Sequence, residues 1–358
     1  MTEALPTGAM IGILGGGQLG RMLSVAAARL GFRSHIFEPG AKPPAGHVAD
    51  QVTTAAYDDV DALTRFAGSV DVITYEFENI PTQALDILEQ HRPIYPGREA
   101  LRISQDRLTE KTFLQALGLQ TAPFADITDL ASLKTALADI GTPAILKTRR
   151  FGYDGKGQAR LNTSQDAAKA YEDMTGAPAL LEGFVNFSHE VSVIAARGIT
   201  GEIACFDPGE NVHRNGILHT TTVPARLSRA QRTDAILLAA NILNALDYVG
   251  VLGVELFVTP TGLIVNEIAP RVHNSGHWTQ NGCAVDQFEQ HIRAIVGWPL
   301  GDGQRYTDMV MENLIGNDMA RVPDLAKEPD TALHLYGKAD IKTGRKMGHF
   351  NRIIRPKS

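Results

Sequence analysis

The strongest constraint on the fold lies in residues 10–95, where short apolar runs alternate with stretches whose apolar residues recur every three or four positions. Met10 to Leu14 reads as a strand, after which Leu19, Met22, Leu23, Ala26 and Leu30 follow at helical spacing until Gly31. Ser34 to Phe37 and Val70 to Tyr75 read as further strands, with helices over Asp59 to Phe66 and Gln83 to Gln90. Parallel strands need crossover connections, and helices are the usual ones, so this alternation specifies an α/β unit with a doubly wound parallel sheet.

A chain of 358 residues exceeds the usual size of one core, and Pro93 and Pro96 interrupt the alternation. We expect three units, over residues 1–103, 104–181 and 182–358. The second has a helix from Gln105 to Leu117 closed by Gly118, a strand at Ala144 to Thr148, a glycine-rich loop, a return strand at Gln158 to Leu161 and a helix at Ser164 to Met174. The third has strands at Glu190 to Ala195 and Glu202 to Phe206, a helix at Arg229 to Leu246 and a hairpin at Val249 to Ala269. It ends with a helix at Ala284 to Val296 and strands at Ala332 to Tyr336 and Gly348 to Ile354.

A net charge of -6 supplies no global basic field, so nucleic acid is not an expected partner and any phosphate binding must be local. Two cysteines, Cys205 and Cys283, are too few for a disulfide framework and read as small buried residues of a protein in a reducing compartment. No basic segment followed by an apolar stretch opens the chain and no run of 18 apolar residues occurs, from which we expect a cytoplasmic protein without membrane attachment.

Five stretches carry candidate chemistry. Gly15-x-Gly17-x-x-Gly20, between a strand and a helix, fits a dinucleotide fingerprint with Glu38 as the ribose acid, but equally a nucleotide phosphate at a helix N-terminus. Lys147 ends a strand before Arg149-Arg150-Phe151-Gly152-Tyr153-Asp154-Gly155-Lys156-Gly157-Gln158. Its glycines and cations can wrap a polyphosphate as a mobile flap, or form a solvated hairpin. Glu255 and Glu267 lie in an apolar hairpin, where a carboxylate needs a compensating cation: magnesium, with Asn266 adding an amide oxygen, or a basic side chain. Arg271, His273, Asn274, Ser275 and His277 form a donor-rich turn suited to a small oxyanion, with a zinc site as the competing reading. Seven Lys or Arg against one acid between residues 338 and 358 make either a phosphate-binding strip or a solvated tail.

Together these residues resemble the ATP-grasp superfamily, and within it the 5-(carboxyamino)imidazole ribonucleotide synthase family across nearly the whole chain. The resemblance is carried by Gly15-Gly-Gly-Gln-Leu-Gly-Arg-Met22, Thr74-Tyr-Glu-Phe-Glu-Asn79, Phe151-Gly-Tyr-Asp-Gly-Lys-Gly-Gln158, Asn266-Glu-Ile-Ala-Pro-Arg-Val-His-Asn-Ser-Gly-His277 and Lys338 through Asn351. Arg271-Val272 stands where the family has Arg-Pro, a departure that bears on loop stiffness. The resemblance implies an ATP-grasp fold with an N-terminal Rossmann-like domain, a small glycine-flap domain and a larger C-terminal α+β domain, with ATP between the last two. It implies Arg107, Lys147 and Gly152, Tyr153, Asp154, Gly155, Lys156, Gly157 and Gln158 on the phosphates. Glu182, Gly183, Phe184 and Val185 would line the adenine, Glu190 would hold the ribose, and His213 and Asn266 would lie by the nucleotide. Glu255 and Glu267 would bind Mg2+. Aminoimidazole ribonucleotide would rest on Gln18, Leu19 and Glu76, with Arg271, His273, Asn274, Lys338 and Arg345 closing over it.

The implied reaction is carboxylation of that ribonucleotide with ATP and bicarbonate through carboxyphosphate, with Lys147, Arg271 and His273 as catalytic groups and a homodimer as the assembly. The alternatives are a formate-using transformylase of the same pathway, an NAD-dependent oxidoreductase built on Gly15 to Gly20 and Glu38, and a nucleotide sensor with a dead site. One geometric condition follows from strand pleating: Glu255 and Glu267 share a face only if the hairpin register sets them opposite each other. Pro260 and Gly262 suit a three-residue loop with Thr259 paired to Leu263 and Gly262 at positive φ, which would do so.

Overall fold

The structure is a computed structural model that describes residues 4–152 and 157–355. Its first sheet has four parallel strands in the order Gln51–Thr53, Arg33–Phe37, Met10–Leu14, Val72–Tyr75. The Met10–Leu14 strand is buried along its whole length, as a parallel strand covered by helices on both faces must be. Helix Gln18–Arg29 presents Leu19, Met22, Leu23, Ala26 and Ala27 to the core. Asp59 starts the next helix, Val60–Gly68, by accepting a hydrogen bond from the Ala62 N–H at 2.9 Å.

The second sheet is antiparallel, in the order Phe124–Ile127, Ala179–Gly183, Ala144–Thr148, Gln158–Leu161. The expected return strand pairs with Ala144–Thr148 so that Lys147 faces Gln158. The expected Gln105-to-Leu117 helix is present as Arg107–Ala116, and a second helix that was not anticipated, Arg98–Ser104, precedes it. Asp106 divides them by capping the second, accepting from the N–H groups of Leu108 and Thr109 at 3.0 and 3.2 Å. Helix Leu130–Ile140 was not anticipated, although Asp129 and Ser132 form a capping box at its start.

The third sheet has nine strands. Its main path runs Gly262–Ala269, Gly250–Thr259, His189–Arg197, Gly209–Arg214, Ile217–Val223, Asp308–Ile315, Lys346–Ile354, Thr331–Leu335, with Ile203–Cys205 paired to His189–Arg197. Gly209–Arg214, Ile217–Val223 and Asp308–Ile315 lie in its middle and were not anticipated. Their polar residues, such as Asn211, Thr221 and Asn313, are buried and hydrogen-bonded, so hydropathy alone does not mark them.

Helix Gln287–Val296 joins the first and third sheets. Phe288, Ile292 and Ile295 share one core with Ile11, Ile13 and Leu23. Thr74 Oγ1 and His291 Nε2 meet at 2.8 Å in the interior, and Arg29 pairs with Asp286 and Glu289 at 2.9 and 3.0 Å. The carboxyl end of Val72–Tyr75 is thereby fixed relative to the nine-stranded sheet. No helix among the described residues is long and apolar enough to cross a membrane.

Candidate functional site

The hairpin Gly250–Thr259 and Gly262–Ala269 sets Glu255 opposite Glu267, so the two carboxylates share a face. The route to that register differs from the expected one. Thr259 pairs with Gly262 across the two-residue turn Pro260-Thr261, with Gly262 at φ 137°. With that turn alone, Glu255 would face Asn266. The register shifts between Glu255 and Leu256, leaving Asn266 as the extra residue of a β-bulge, and the bulge restores the Glu255–Glu267 pairing. Sequence reading favoured a loop correction because Pro and Gly mark turns, whereas nothing in Val265-Asn266-Glu267 marks a bulge.

Burial, and then the proximity of Glu267, push the Glu255 carboxyl up to about 7. Burial would also raise Glu267, but Arg107 Nη1, donating at 2.9 Å to its Oε2, outweighs this and holds it at about 2. The Asn266 side chain bonds Glu255. Two carboxylates set opposite each other, one already stabilised by Arg107 and the other held only partly ionised, are oxygen donors of the kind a hard divalent cation takes, with phosphate oxygens completing the set.

On the facing sheet Lys147 Nζ donates to Glu182 Oε2 at 2.7 Å, and Lys111 Nζ lies 3.4 Å from Glu182 Oε1. Burial would raise Glu182, but Lys147 and Lys111 together hold it below the usual carboxylate range. Lys111 also donates to the Asn266 carbonyl at 2.7 Å, so the lysine pair and the hairpin carboxylates form one continuous cluster. Gly152 closes on it, its carbonyl accepting from Arg107 Nη2 at 3.4 Å. A cavity of about 60 Å³ beside this cluster is lined by Glu78, Gln105, Arg107, Glu110, Gly152 and Glu267. A larger one, about 130 Å³, is lined by none of these groups but by residues such as Arg21, Arg29 and His334.

Gly157 and Gln158 are exposed at the return of the loop, Gly157 at φ 69° with its carbonyl accepting from Thr148 N–H at 2.8 Å. Tyr153, Asp154, Gly155 and Lys156 lie outside the described residues. Gly183 and Phe184 donate their N–H groups to the carbonyls of Pro123 and Pro143 at 2.8 and 3.1 Å, while Val185 is half-buried. The Phe184 ring is exposed beneath the Arg160 guanidinium, 4.5 Å from its centroid. Glu190 and His213 stand on adjacent strands with Oε2 and Nδ1 2.7 Å apart. Burial lowers the imidazole, but Glu190 outweighs this and holds it above its ordinary value.

At the glycine motif the helix N-terminus already holds an anion of the protein's own. Glu76 accepts from the N–H groups of Gly17 and Gly20, the latter at 2.6 Å, and Glu38 accepts from Gly16 N–H at 2.8 Å. Burial pushes Glu76 up despite these bonds. Leu19 is a core residue at 8% exposure, so any contact it makes with a ligand is through its main chain, and Gln18 opens the helix beside it.

The turn after the hairpin also differs from a set of free donors. Arg271 is bound by Glu78, with Nε to Oε2 at 2.5 Å and Nη2 to Oε1 at 3.3 Å, so its charge is matched. Burial, Arg271 and Lys346 lower His273 to about 3, which keeps it neutral. Ser275 Oγ and N lie 2.8 and 3.4 Å from His273 Nδ1, and with Nδ1 accepting from them the proton is on Nε2, 3.4 Å from Glu255 Oε1. Asn274 exchanges amide hydrogen bonds with Asn313 at 2.8 and 3.0 Å. His277 faces elsewhere, with Nδ1 2.9 Å from Gln287 Nε2 and its ring against His349. Val272, at the departure from the family pattern, is fully buried. Lys338 donates to the Lys346 carbonyl at 2.7 Å and Arg345 to the Asp340 carbonyl at 3.2 Å.

Sequence reading missed Glu78, Glu110 and Lys111. Glu78 stood in a quoted motif, two residues from Glu76. Glu110 and Lys111 follow Arg107 at helical spacing, a pattern that also fits a solvated face. The Glu78–Arg271 pair has a consequence for stability. Burial would raise Glu78, but Arg271 outweighs it and lowers its pKa, so the pair stabilises the fold above the unfolded carboxylate value of about 4.3 and that contribution disappears as pH falls through the lowered value. Glu78→Gln is expected to cost about 2 kcal/mol at pH 7, with the difference from the native protein shrinking below about pH 4 in urea titrations.

Three families match the chain in order: the ribonucleotide synthetase preATP-grasp domain at residues 9–105, the ATP-grasp domain at 112–288, and the phosphoribosylaminoimidazole carboxylase C-terminal domain at 309–356. The N5-carboxyaminoimidazole ribonucleotide synthase of Brucella melitensis is 54% identical over 98% of each chain, and that of Bacillus subtilis is 43% identical over 98% of this chain and 92% of its own. An ADP complex of an N5-carboxyaminoimidazole ribonucleotide synthetase superposes with a TM-score of 0.96 at 41% identity, covering 99% of this chain and 94% of the other. The Aspergillus clavatus enzyme in complex with ADP and 5-aminoimidazole ribonucleotide gives 0.92 at 31% identity, covering 97% and 94%. The chain belongs to the N5-carboxyaminoimidazole ribonucleotide synthase family, ATP-dependent ligases of purine biosynthesis on the ATP-grasp fold.

Proposed function

We propose that this chain uses ATP and bicarbonate to carboxylate the amino group of 5-aminoimidazole ribonucleotide, giving 5-(carboxyamino)imidazole ribonucleotide, ADP and phosphate. The observation that carries the reading is the single cluster in which Lys147, Arg107 and the Glu255–Glu267 pair meet through Glu182, Lys111 and Asn266. An oxygen of bicarbonate attacks the γ-phosphorus, the bond to the bridging oxygen breaks, and ADP leaves with carboxyphosphate formed. The carbon–oxygen bond to phosphate then breaks, either as the amine nitrogen bonds the carboxyl carbon or beforehand, releasing carbon dioxide whose π bond opens when the nitrogen adds to it, and in both cases phosphate leaves and the nitrogen loses a proton.

Chemistry of this kind needs positioning and charge stabilisation more than covalent help. Lys147 and Arg107 face the phosphates, with Gly152, Gly157 and Gln158 beside them and Glu182 to Val185 lining the adenine. Glu190, with His213, takes the ribose. Glu255 and Glu267, with the Asn266 amide, would hold Mg2+, which when bound neutralises phosphate charge. His273, neutral with its proton on Nε2, donates to the oxyanion, and Arg271 orients it with a guanidinium that Glu78 keeps fixed. The ribonucleotide lies at the carboxyl end of the parallel sheet by Gln18, Leu19 and Glu76, where open α/β sheets present ligands, under Asn274, Lys338 and Arg345. Family resemblance adds the expectation of a cytoplasmic homodimer.

The test is ADP release with each substrate omitted in turn and with formate in place of bicarbonate. Fast release is expected only with ATP, bicarbonate and the aminoimidazole together. Equal release with formate would favour the transformylase reading, and release indifferent to the aminoimidazole would overturn the proposal.

A further inference from the structure

The edge strand that carries Glu267 is gripped by one face of a helix. Arg107, Glu110 and Lys111 on Arg107–Ala116 stand at i, i+3 and i+4 and so project together. Their partners are three consecutive residues. Lys111 donates to the Asn266 carbonyl at 2.7 Å, Arg107 to the Glu267 carboxylate at 2.9 Å, and Glu110 Oε1 accepts from the Ile268 N–H at 2.6 Å. Glu110 and Lys111 are 2% and 1% exposed, which for two ionisable side chains requires fixed partners.

What they grip is the bulge. A bulged residue leaves the ladder, and its backbone polar groups need another partner. Lys111 supplies one for Asn266. Without the bulge the register would slip by one, Glu255 would face Asn266, and Glu267 would turn to the other face of the hairpin.

We propose that Glu110 and Lys111 are positioning residues for the divalent cation, clamping the Asn266 bulge so that Glu267 stays opposite Glu255. The inference rests on the reading of Glu255 and Glu267 as the metal-holding pair. Lys111 extends the clamp across the cleft, because it also lies 3.4 Å from the Glu182 carboxylate that accepts from Lys147.

Two readouts test it: Mn2+ affinity of the ADP complex by electron paramagnetic resonance, and hydrogen exchange across residues 262–269 without nucleotide. In Glu110→Ala and Lys111→Met, the Mn2+ dissociation constant is expected to rise at least about tenfold, and exchange to quicken in that strand while the rest of the sheet holds. Glu110→Gln keeps an oxygen for the Ile268 N–H and is expected to stay within about threefold of native. Native Mn2+ affinity in Glu110→Ala where Glu267→Gln binds weakly, native exchange in Glu110→Ala, or an equal loss in Glu110→Gln, would overturn the clamp. Should Lys111→Met fail to fold, the two Glu110 variants decide. Glu267→Gln separates the premises: weak Mn2+ binding there with native binding in Glu110→Ala refutes the clamp alone. Native binding in Glu267→Gln refutes the metal pair, and the clamp is then judged on exchange.

Discussion

Lys147→Ala is expected to lower turnover by at least about 100-fold while the protein remains folded. The side chain is 12% exposed, stands one residue before the end of a strand of the small antiparallel sheet, and is fixed at 2.7 Å from Glu182, so in the proposed site it would meet the phosphates without reorganising. The glycine loop starts just beyond it, and register places it against Gln158 where the loop returns. Removing it leaves Glu182 with Lys111 at 3.4 Å as its remaining cation, which limits the loss of stability to roughly 1–3 kcal/mol. Steady-state ADP release reads the first effect and thermal melting by circular dichroism the second. Turnover within a few-fold of native would remove Lys147 from the phosphate site.

The second large effect is expected at Glu267. Because Arg107 holds its carboxyl at about 2 against the opposing pull of burial, it is ionised throughout the working pH range, and Glu267→Gln removes a full charge with little change of shape. We expect turnover to fall by at least about 100-fold and the magnesium concentration for half-maximal rate to rise. The hairpin should keep its register, since Lys111 and Glu110 hold the neighbouring backbone. Rates measured over a magnesium titration give both quantities. A near-native rate at low magnesium would sink the assignment of this pair to the metal.

What the sequence revealed, and where it fell short, divides along physical lines. Strands with uniform apolar runs, such as Met10–Leu14, and helices with a strong apolar face were legible because burial dictates their composition. The central strands Ile217–Val223 and Asp308–Ile315 were not, because Thr221 and Asn313 are buried through tertiary hydrogen bonds that no local pattern announces. At the site, the face shared by Glu255 and Glu267 was anticipated but its cause was misplaced. Turn residues advertise themselves, whereas the Asn266 bulge is imposed by a helix 155 residues away in sequence. The same limit applies to charge. Arg271 and the glycine motif read as sites open to anions, and long-range contacts supply Glu78 to one and Glu76 to the other.

The central claim, that ATP is used to activate bicarbonate for transfer to the amine, is tested most directly by following oxygen. With bicarbonate labelled in all three oxygens by 18O, the carbon–oxygen bond that breaks in the second step leaves a bicarbonate oxygen on phosphorus. Whether the amine meets carboxyphosphate or the carbon dioxide released from it, each inorganic phosphate should carry one 18O in mass spectra of the products. Phosphate free of label, formed at the full rate of ADP release, would mean that water rather than bicarbonate attacks the γ-phosphoryl group, and would contradict the account.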